Sequence, residues 1–119
     1  MPTTQFIRKG QIIFREGTPS DFAFIIENGK FEVSRKRLSG KIEILDILDK
    51  NDIFGEMGII DGHPRLATVR ALEDGKVTLF GKEDFNNMFR KNPKALMPII
   101  RTLTARLRRY TKRERTLTR

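Results

Sequence analysis

Cysteine is absent from the 119 residues, and histidine occurs once, at His63. Without thiols there can be neither a disulfide framework nor a thiolate metal site, and one imidazole makes no cluster of ligands, so the composition argues against a metal enzyme. Long apolar runs are missing too. None approaches the ~20 residues of a membrane-spanning helix, and Met1-Pro2-Thr3-Thr4-Gln5 lacks the basic and apolar blocks of a signal peptide. The compartment expected is the cytoplasm. No internal repeat or low-complexity stretch interrupts the chain. At this length one core burying roughly two thirds of the unfolded surface suffices, and residues 1–119 are read as a single domain.

The formal net charge is +9, unevenly placed. From Arg101 onward the chain carries eight Lys and Arg residues against Glu114 alone, which leaves only +2 on the first hundred residues. A nearly balanced domain thus bears a basic tail, suited to nucleic acid, an anionic membrane surface or an acidic protein, or simply to solvent.

Up to about residue 81, short apolar stretches alternate with turn residues, and glycines punctuate them at 10, 17, 29, 40, 55, 58, 62, 75 and 81. That rhythm is the signature of an all-β sandwich or barrel built from hairpins, and the fold expected is a β-roll, a jelly-roll-like antiparallel barrel. Strands are predicted at Gln11 to Arg15 and Phe22 to Glu27. The Asn28-Gly29 pair favours a tight type I′ hairpin into a strand with Phe31 and Val33 on its dry face. Arg35 to Lys41 reads as a polar hairpin tip, followed by a strand from Ile42 to Leu48 and a turn at Asp49-Lys50-Asn51-Asp52. Ala67 to Leu72 and Lys76 to Phe80 complete the strands, joined by Glu73-Asp74-Gly75. The phenylalanines at 14, 22, 24, 31, 80, 85 and 89 are assigned to the core.

After Gly81, Phe85, Met88 and Phe89 fall at helical spacing, which predicts a short amphipathic helix. Asn92-Pro93 resembles a cap with proline at the first helical position of a longer helix. Pro98 should bend that helix or delay its start. Along it Leu96, Ile100, Leu103, Leu107, Tyr110, Glu114 and Leu117 alternate in steps of four and three. That is a heptad seam, apolar except at Glu114, along which two copies could pair, or one could lie against its own domain. The chain therefore divides into a β-roll, 1–81, and a helical lid and tail, 82–119.

The chemistry concentrates in residues 53–69, Ile-Phe-Gly-Glu-Met-Gly-Ile-Ile-Asp-Gly-His-Pro-Arg-Leu-Ala-Thr-Val. Met57 to Ile60 can form one helical turn whose free N–H groups favour an anion. Gly55 permits a tight approach, and Gly58 presents no side chain to block one. Arg65 offers a planar fork that pairs bidentately with phosphate oxygens. Glu56, an acceptor when ionised, suits sugar hydroxyls beside such an anion. His63, in a loop beside Pro64, is assigned no role.

This segment resembles the phosphate-binding cassette of the cyclic-nucleotide-binding domain superfamily, found in catabolite activator proteins, protein kinase A regulatory subunits and cyclic-nucleotide-gated channels. The resemblance rests on Phe54-Gly55-Glu56, then Pro64-Arg65, two further residues and Thr68-Val69. Gly10, Ile13, Gly17, Asp21, Ile25 and Gly29 fit the family's upstream strands. It implies that Glu56 binds a ribose 2′-hydroxyl and Arg65 the cyclic phosphate. The amides of Gly58 and Leu66 would donate to phosphate oxygens, and Gly55 and Met57 would line the sugar. Arg109, Tyr110 and Thr111 on the last helix would meet the base, although Tyr110 also suits packing on the seam. Leu66 stands where Ser, Thr or Ala is common. A threonine there would offer guanine a hydroxyl, so the ligand implied is cAMP, with cGMP as the alternative and no metal. The helix that usually precedes the first strand is not evident.

The function expected is a regulatory module, not an enzyme, that binds a cyclic nucleotide and signals through its C-terminal helices. Its partners would be an effector protein not identifiable from sequence and a second copy joined through the Leu96/Ile100/Leu103/Leu107 seam. Two other classes stay open: a degenerate, ligand-free dimerisation or interaction module, and the sensor of a transcription regulator whose DNA-binding domain is absent. With Arg119 the last residue, no helix-turn-helix follows the seam, so specific DNA binding is not expected of these residues.

Overall fold

The computed structural model describes the backbone of residues 3–117 and the side chains of residues 3–109 and Thr111. Eight strands come first: β1 (Thr3–Ile7), β2 (Ile12–Phe14), β3 (Phe22–Asn28), β4 (Phe31–Lys36), β5 (Ile42–Leu48), β6 (Ile53–Phe54), β7 (Thr68–Ala71) and β8 (Gly75–Gly81). A short helix α1 (Glu56–Asp61) sits between β6 and β7, and α2 (Lys82–Lys91) and α3 (Leu96–Leu117) follow β8. β1 escapes sequence reading because its residues Thr3 to Phe6 are exposed and only Ile7 is buried.

The strands do not close into the expected barrel. They form two separate four-stranded antiparallel sheets, ordered β1-β8-β3-β6 and β2-β7-β4-β5. The physical reason lies at the edges. β6 has two residues and β2 has three, with a register shift between Ile12 and Phe14. Edges that short supply few ladder hydrogen bonds, and at the opposite edges β1 pairs only with β8 and β5 only with β4 among the described residues. A β-roll is therefore not the architecture.

The expected hairpins fare similarly. Arg35 to Lys41 does join paired neighbours, β4 and β5, and its tip is closed by Arg37 N–H to Lys41 O and Gly40 N–H to Arg37 O. Every other connection between consecutive strands passes from one sheet to the other. Asn28-Gly29 thus links β3 to β4 without making them a hairpin. Nor is it a type I′ turn, which needs positive φ at both residues: Gly29 has φ 100°, but Asn28 is not among the positive-φ residues. Glycine is required here for proximity as well. A Cβ on Gly29 would lie 2.9 Å from the Cα of Gly75, and one on Gly75 would lie 2.5 Å from the carbonyl oxygen of Asn28. The β3–β4 and β7–β8 crossings pass each other backbone to backbone.

Both sheets face a common core. β1, β3, β6 and β8 contribute Ile7, Phe24, Ile26, Phe54 and Val77, and β4, β5 and β7 contribute Phe31, Leu48, Val69 and Ala71. Phe54 holds the aromatic part together: it stacks on Phe24 with centroids 4.9 Å apart, and Phe31 and Phe14 tilt against it at 5.7 and 5.9 Å. Rings at these separations add packing energy beyond their area. Phe22, assigned to the core from sequence, is partly exposed at the start of β3.

By its internal contacts the chain divides into two compact units, Met1–Phe85 and Asn86–Arg119. In the first, Phe85 is buried and meets Phe80 edge to face. In the second, a 3₁₀ turn (Pro93–Ala95) leads into α3, and Asn92 precedes it without a side-chain cap. Pro98 lies in the first turn of α3, where a missing N–H costs little, so it neither delays nor interrupts the helix. On the seam Leu96 and Leu103 are half-buried and Ile100 and Leu107 exposed. The seam positions Tyr110, Glu114 and Leu117 lie outside the described side chains.

The crossing makes a direct prediction. Gly29→Ala combines a left-handed backbone with a clash against main chain that cannot rotate away, and should lower unfolding free energy by about 2 to 3 kcal/mol. Urea denaturation followed by circular dichroism measures it, and an unchanged midpoint would contradict the crossing.

Candidate functional site

The candidate site is built where β6 ends. Gly55 takes φ 78°, a left-handed conformation open to glycine, and turns the chain from β6 into α1. The helix runs from Glu56 to Asp61, slightly longer than the single turn expected, and Gly62 ends it, again left-handed, with its N–H on the carbonyl of Gly58. Glu56 is the first helical residue and is fully buried. An acid at that end complements the amides of the first turn that have no partner within the helix, which offsets part of the cost of burying it.

Arg65 is the centre of the arrangement. Only 7% of its surface is exposed. Nη1 donates to the carbonyl of Gly55 at 2.8 Å and Nη2 to that of Phe22 at 2.6 Å. The guanidinium carbon lies 4.0 Å from the centroid of the Phe14 ring, so the cation also rests on an aromatic face. Burial lowers the pKa of Arg65 below its ordinary value, while the charges of Asp21 and Glu56 act to raise it. Its Nε is buried with no hydrogen-bond partner among the described residues. Such a group is costly to leave unsatisfied.

Sequence reading did not show what holds this arginine in place. Residues 15–21, between β2 and β3, lie against the Arg65 segment through Gly17 N–H to Arg65 O at 2.8 Å and Arg65 N–H to Thr18 O at 2.9 Å. Ser20 Oγ donates to the carbonyl of His63 at 2.8 Å, and Thr68 Oγ1 accepts from Glu16 N–H at 3.0 Å. The glycines of the site are explained by these neighbours. A Cβ on Gly58 would fall 1.9 Å from Ser20 Oγ and 2.8 Å from the carbonyl oxygen of His63, and one on Gly55 would fall 2.6 Å from Arg65 Nη1. Gly58 therefore makes room for Ser20, and the tight approach at Gly55 is that of Arg65. Thr18-Pro19-Ser20-Asp21 has the composition of a turn, but only the fold shows which segment it touches.

Of the residues singled out, Gly55, Glu56, Gly58 and Arg65 come together at the start of α1. Met57 and Leu66 belong to the same segment with their side chains exposed, Leu66 at 66%. Arg109 and Thr111 lie on α3 in the second unit, where the Thr111 hydroxyl donates to the Leu107 carbonyl of its own helix. Tyr110 has its side chain outside the described residues. Among the described residues, no three His, Cys, Asp or Glu side chains are grouped to hold a metal, and no helix is long and apolar enough to cross a membrane.

Comparison with known proteins bears on what such a site is for. The model of the family described as "Cyclic nucleotide-binding domain" matches residues 4–92, which include every residue of the site in the first unit. A CRP-like cAMP-activated global transcriptional regulator of Mycobacterium tuberculosis is 29% identical over 101 residues, 85% of this chain and 45% of that protein. The catabolite activator protein of Thermus thermophilus is similar in structure with a TM-score of 0.88 at 26% identity, covering 98% of this chain and 55% of that one. An EAL enzyme in a cAMP-bound form has a TM-score of 0.71 at 34% identity, over 96% of this chain and 31% of that one. The chain spans about half the length of the curated regulator, and less of the enzyme.

The packing of Ser20 against Gly58 is testable by a double-mutant cycle. Gly58→Ala should destabilise the protein by about 1 to 3 kcal/mol through overpacking. Adding Ser20→Gly should recover part of that loss, because it removes both side-chain atoms that the new methyl group meets. Strict additivity in chemical denaturation would show that the two residues do not share this space.

Proposed function

The chain belongs to the cyclic nucleotide-binding domain family, and on that premise we propose that its Glu56–Arg65 site binds a 3′,5′-cyclic nucleotide and reports occupancy through α2 and α3. The observation that carries the proposal is the buried guanidinium of Arg65, with Nε unpartnered among the described residues and two of its N–H groups on main-chain carbonyls. A buried cation that still has donors to offer fits a phosphodiester anion. The region matched in the relatives is a regulatory nucleotide-binding domain and not a catalytic core.

In this reading Arg65 neutralises the cyclic phosphate, and the amides of Gly58 and Leu66 donate to its oxygens. Glu56, buried and acceptor-only when ionised, receives the ribose 2′-hydroxyl, and Gly55 and Met57 line the sugar. Arg109, Tyr110 and Thr111 are the proposed base contacts. cAMP is favoured over cGMP because Leu66 has no hydroxyl to offer guanine. The EAL enzyme has been solved with cAMP and with cGMP, so both nucleotides belong in the test. The two units act as one sensing domain at work in the cytoplasm, and ligand shifts the population of helix arrangements towards the one that gains its contacts. The output is an effector domain or protein of the kind joined to this domain in its relatives.

Isothermal titration with cAMP and cGMP tests the reading. Both should bind, cAMP more tightly, and Arg65→Ala should weaken cAMP by about 2 to 5 kcal/mol. No heat with either nucleotide in folded protein removes the proposal. Wild-type affinity in Arg65→Ala moves the site elsewhere.

The seam on α3 is proposed to pair two copies, supported by the exposure of Ile100 and Leu107 at heptad spacing. Sedimentation should show a mass that rises with concentration and responds to cAMP, and Leu107→Lys should return it to the monomer. A monomer at every concentration contradicts the pairing.

A further inference from the structure

The anion site holds more negative charge than one guanidinium suggests. Each carbonyl that accepts from Arg65 belongs to a residue next to a carboxylate: Phe22 follows Asp21, and Gly55 precedes Glu56. The backbone on both sides is held in place. Glu56 is buried at the start of α1, and the turn that carries Asp21 is tied to the Arg65 segment through Gly17, Thr18 and Ser20. The charges of both acids act on the guanidinium. The guanidinium is therefore held by two backbone segments that each carry an acid before any ligand arrives. Glu56 has a use in the function proposed above, as acceptor for a sugar hydroxyl. Asp21, an exposed residue, has none.

We propose that Asp21 is a specificity-determining residue that favours the monoanion of a cyclic phosphodiester over the dianion of an open-chain phosphomonoester at the Arg65 site. The inference rests on the binding function proposed above and adds to it the charge state that the site accepts. A phosphodiester carries one negative charge, whereas a monoester, with its second pKa near 6, carries nearly two at neutral pH. Repulsion from a fixed carboxylate scales with ligand charge. Whatever factor Asp21 takes from the affinity of the monoanion, it takes about the square of that factor from the dianion. Removing its charge should therefore help both ligands but the dianion more, and the affinity ratio should change by the single factor. Solvent screens an exposed carboxylate, so that factor is about two- to fivefold.

The experiment displaces a fluorescent cAMP analogue with unlabelled cAMP and with 5′-AMP, on the whole chain and its Asp21→Asn and Asp21→Glu variants, near neutral pH. The ratio of 5′-AMP to cAMP dissociation constants should fall two- to fivefold in Asp21→Asn and return towards the wild-type value in Asp21→Glu. A purely structural role for Asp21 would weaken both ligands by the same factor. That outcome, or an unchanged ratio, overturns the charge filter while leaving the cAMP site in place. Wild-type protein that binds neither the analogue nor cAMP overturns the site and the filter together.

Discussion

A guanidinium with 7% of its surface exposed must be compensated by the protein, because an isolated buried charge costs far more than a small domain can absorb. The surroundings of Arg65 are that compensation. Two main-chain carbonyls accept from it, a phenylalanine ring lies under it, and two carboxylates support its charge. Each partner comes from a different part of the chain. Phe14 is supplied by β2, Phe22 by β3, and Gly55 and Glu56 by the junction of β6 and α1. The site is thus where several elements of both sheets are made to agree on one position.

The two-sheet arrangement makes that agreement possible. Because all but one of the links between consecutive strands change sheet, residues distant in sequence arrive at the same end of the core. The Phe14, Phe24, Phe31 and Phe54 cluster spans both sheets, and the guanidinium of Arg65 lies over its Phe14 ring. The cost of the winding is paid in backbone proximity, at Gly29 against Gly75.

Within the cassette, the local conformation was legible because its determinants are local. A glycine entering a helical turn, an acid at its start and a Pro-Arg step after a loop are contiguous in the chain, and α1, Gly55 and Glu56 take the conformations their types favour. Helices α2 and α3 followed from periodicity for the same reason. What lies against the glycines was not legible: the space beside Gly58 is filled by Ser20, 38 residues away in sequence.

By itself the sequence determined the strand-rich composition, the helical end, the cassette and the family to which the chain belongs, all of which depend on neighbouring residues. Tertiary structure decided which strands pair and that the sheets stay apart. It also decided that the turn at 15–21 clasps Arg65. Turn-forming residues state that the chain reverses but not which strand it meets next, since that depends on how two faces share one core. Contacts of Arg65 obey the same limit: it meets the Phe22 carbonyl and the Phe14 ring through space, and only the folded chain brings them to it.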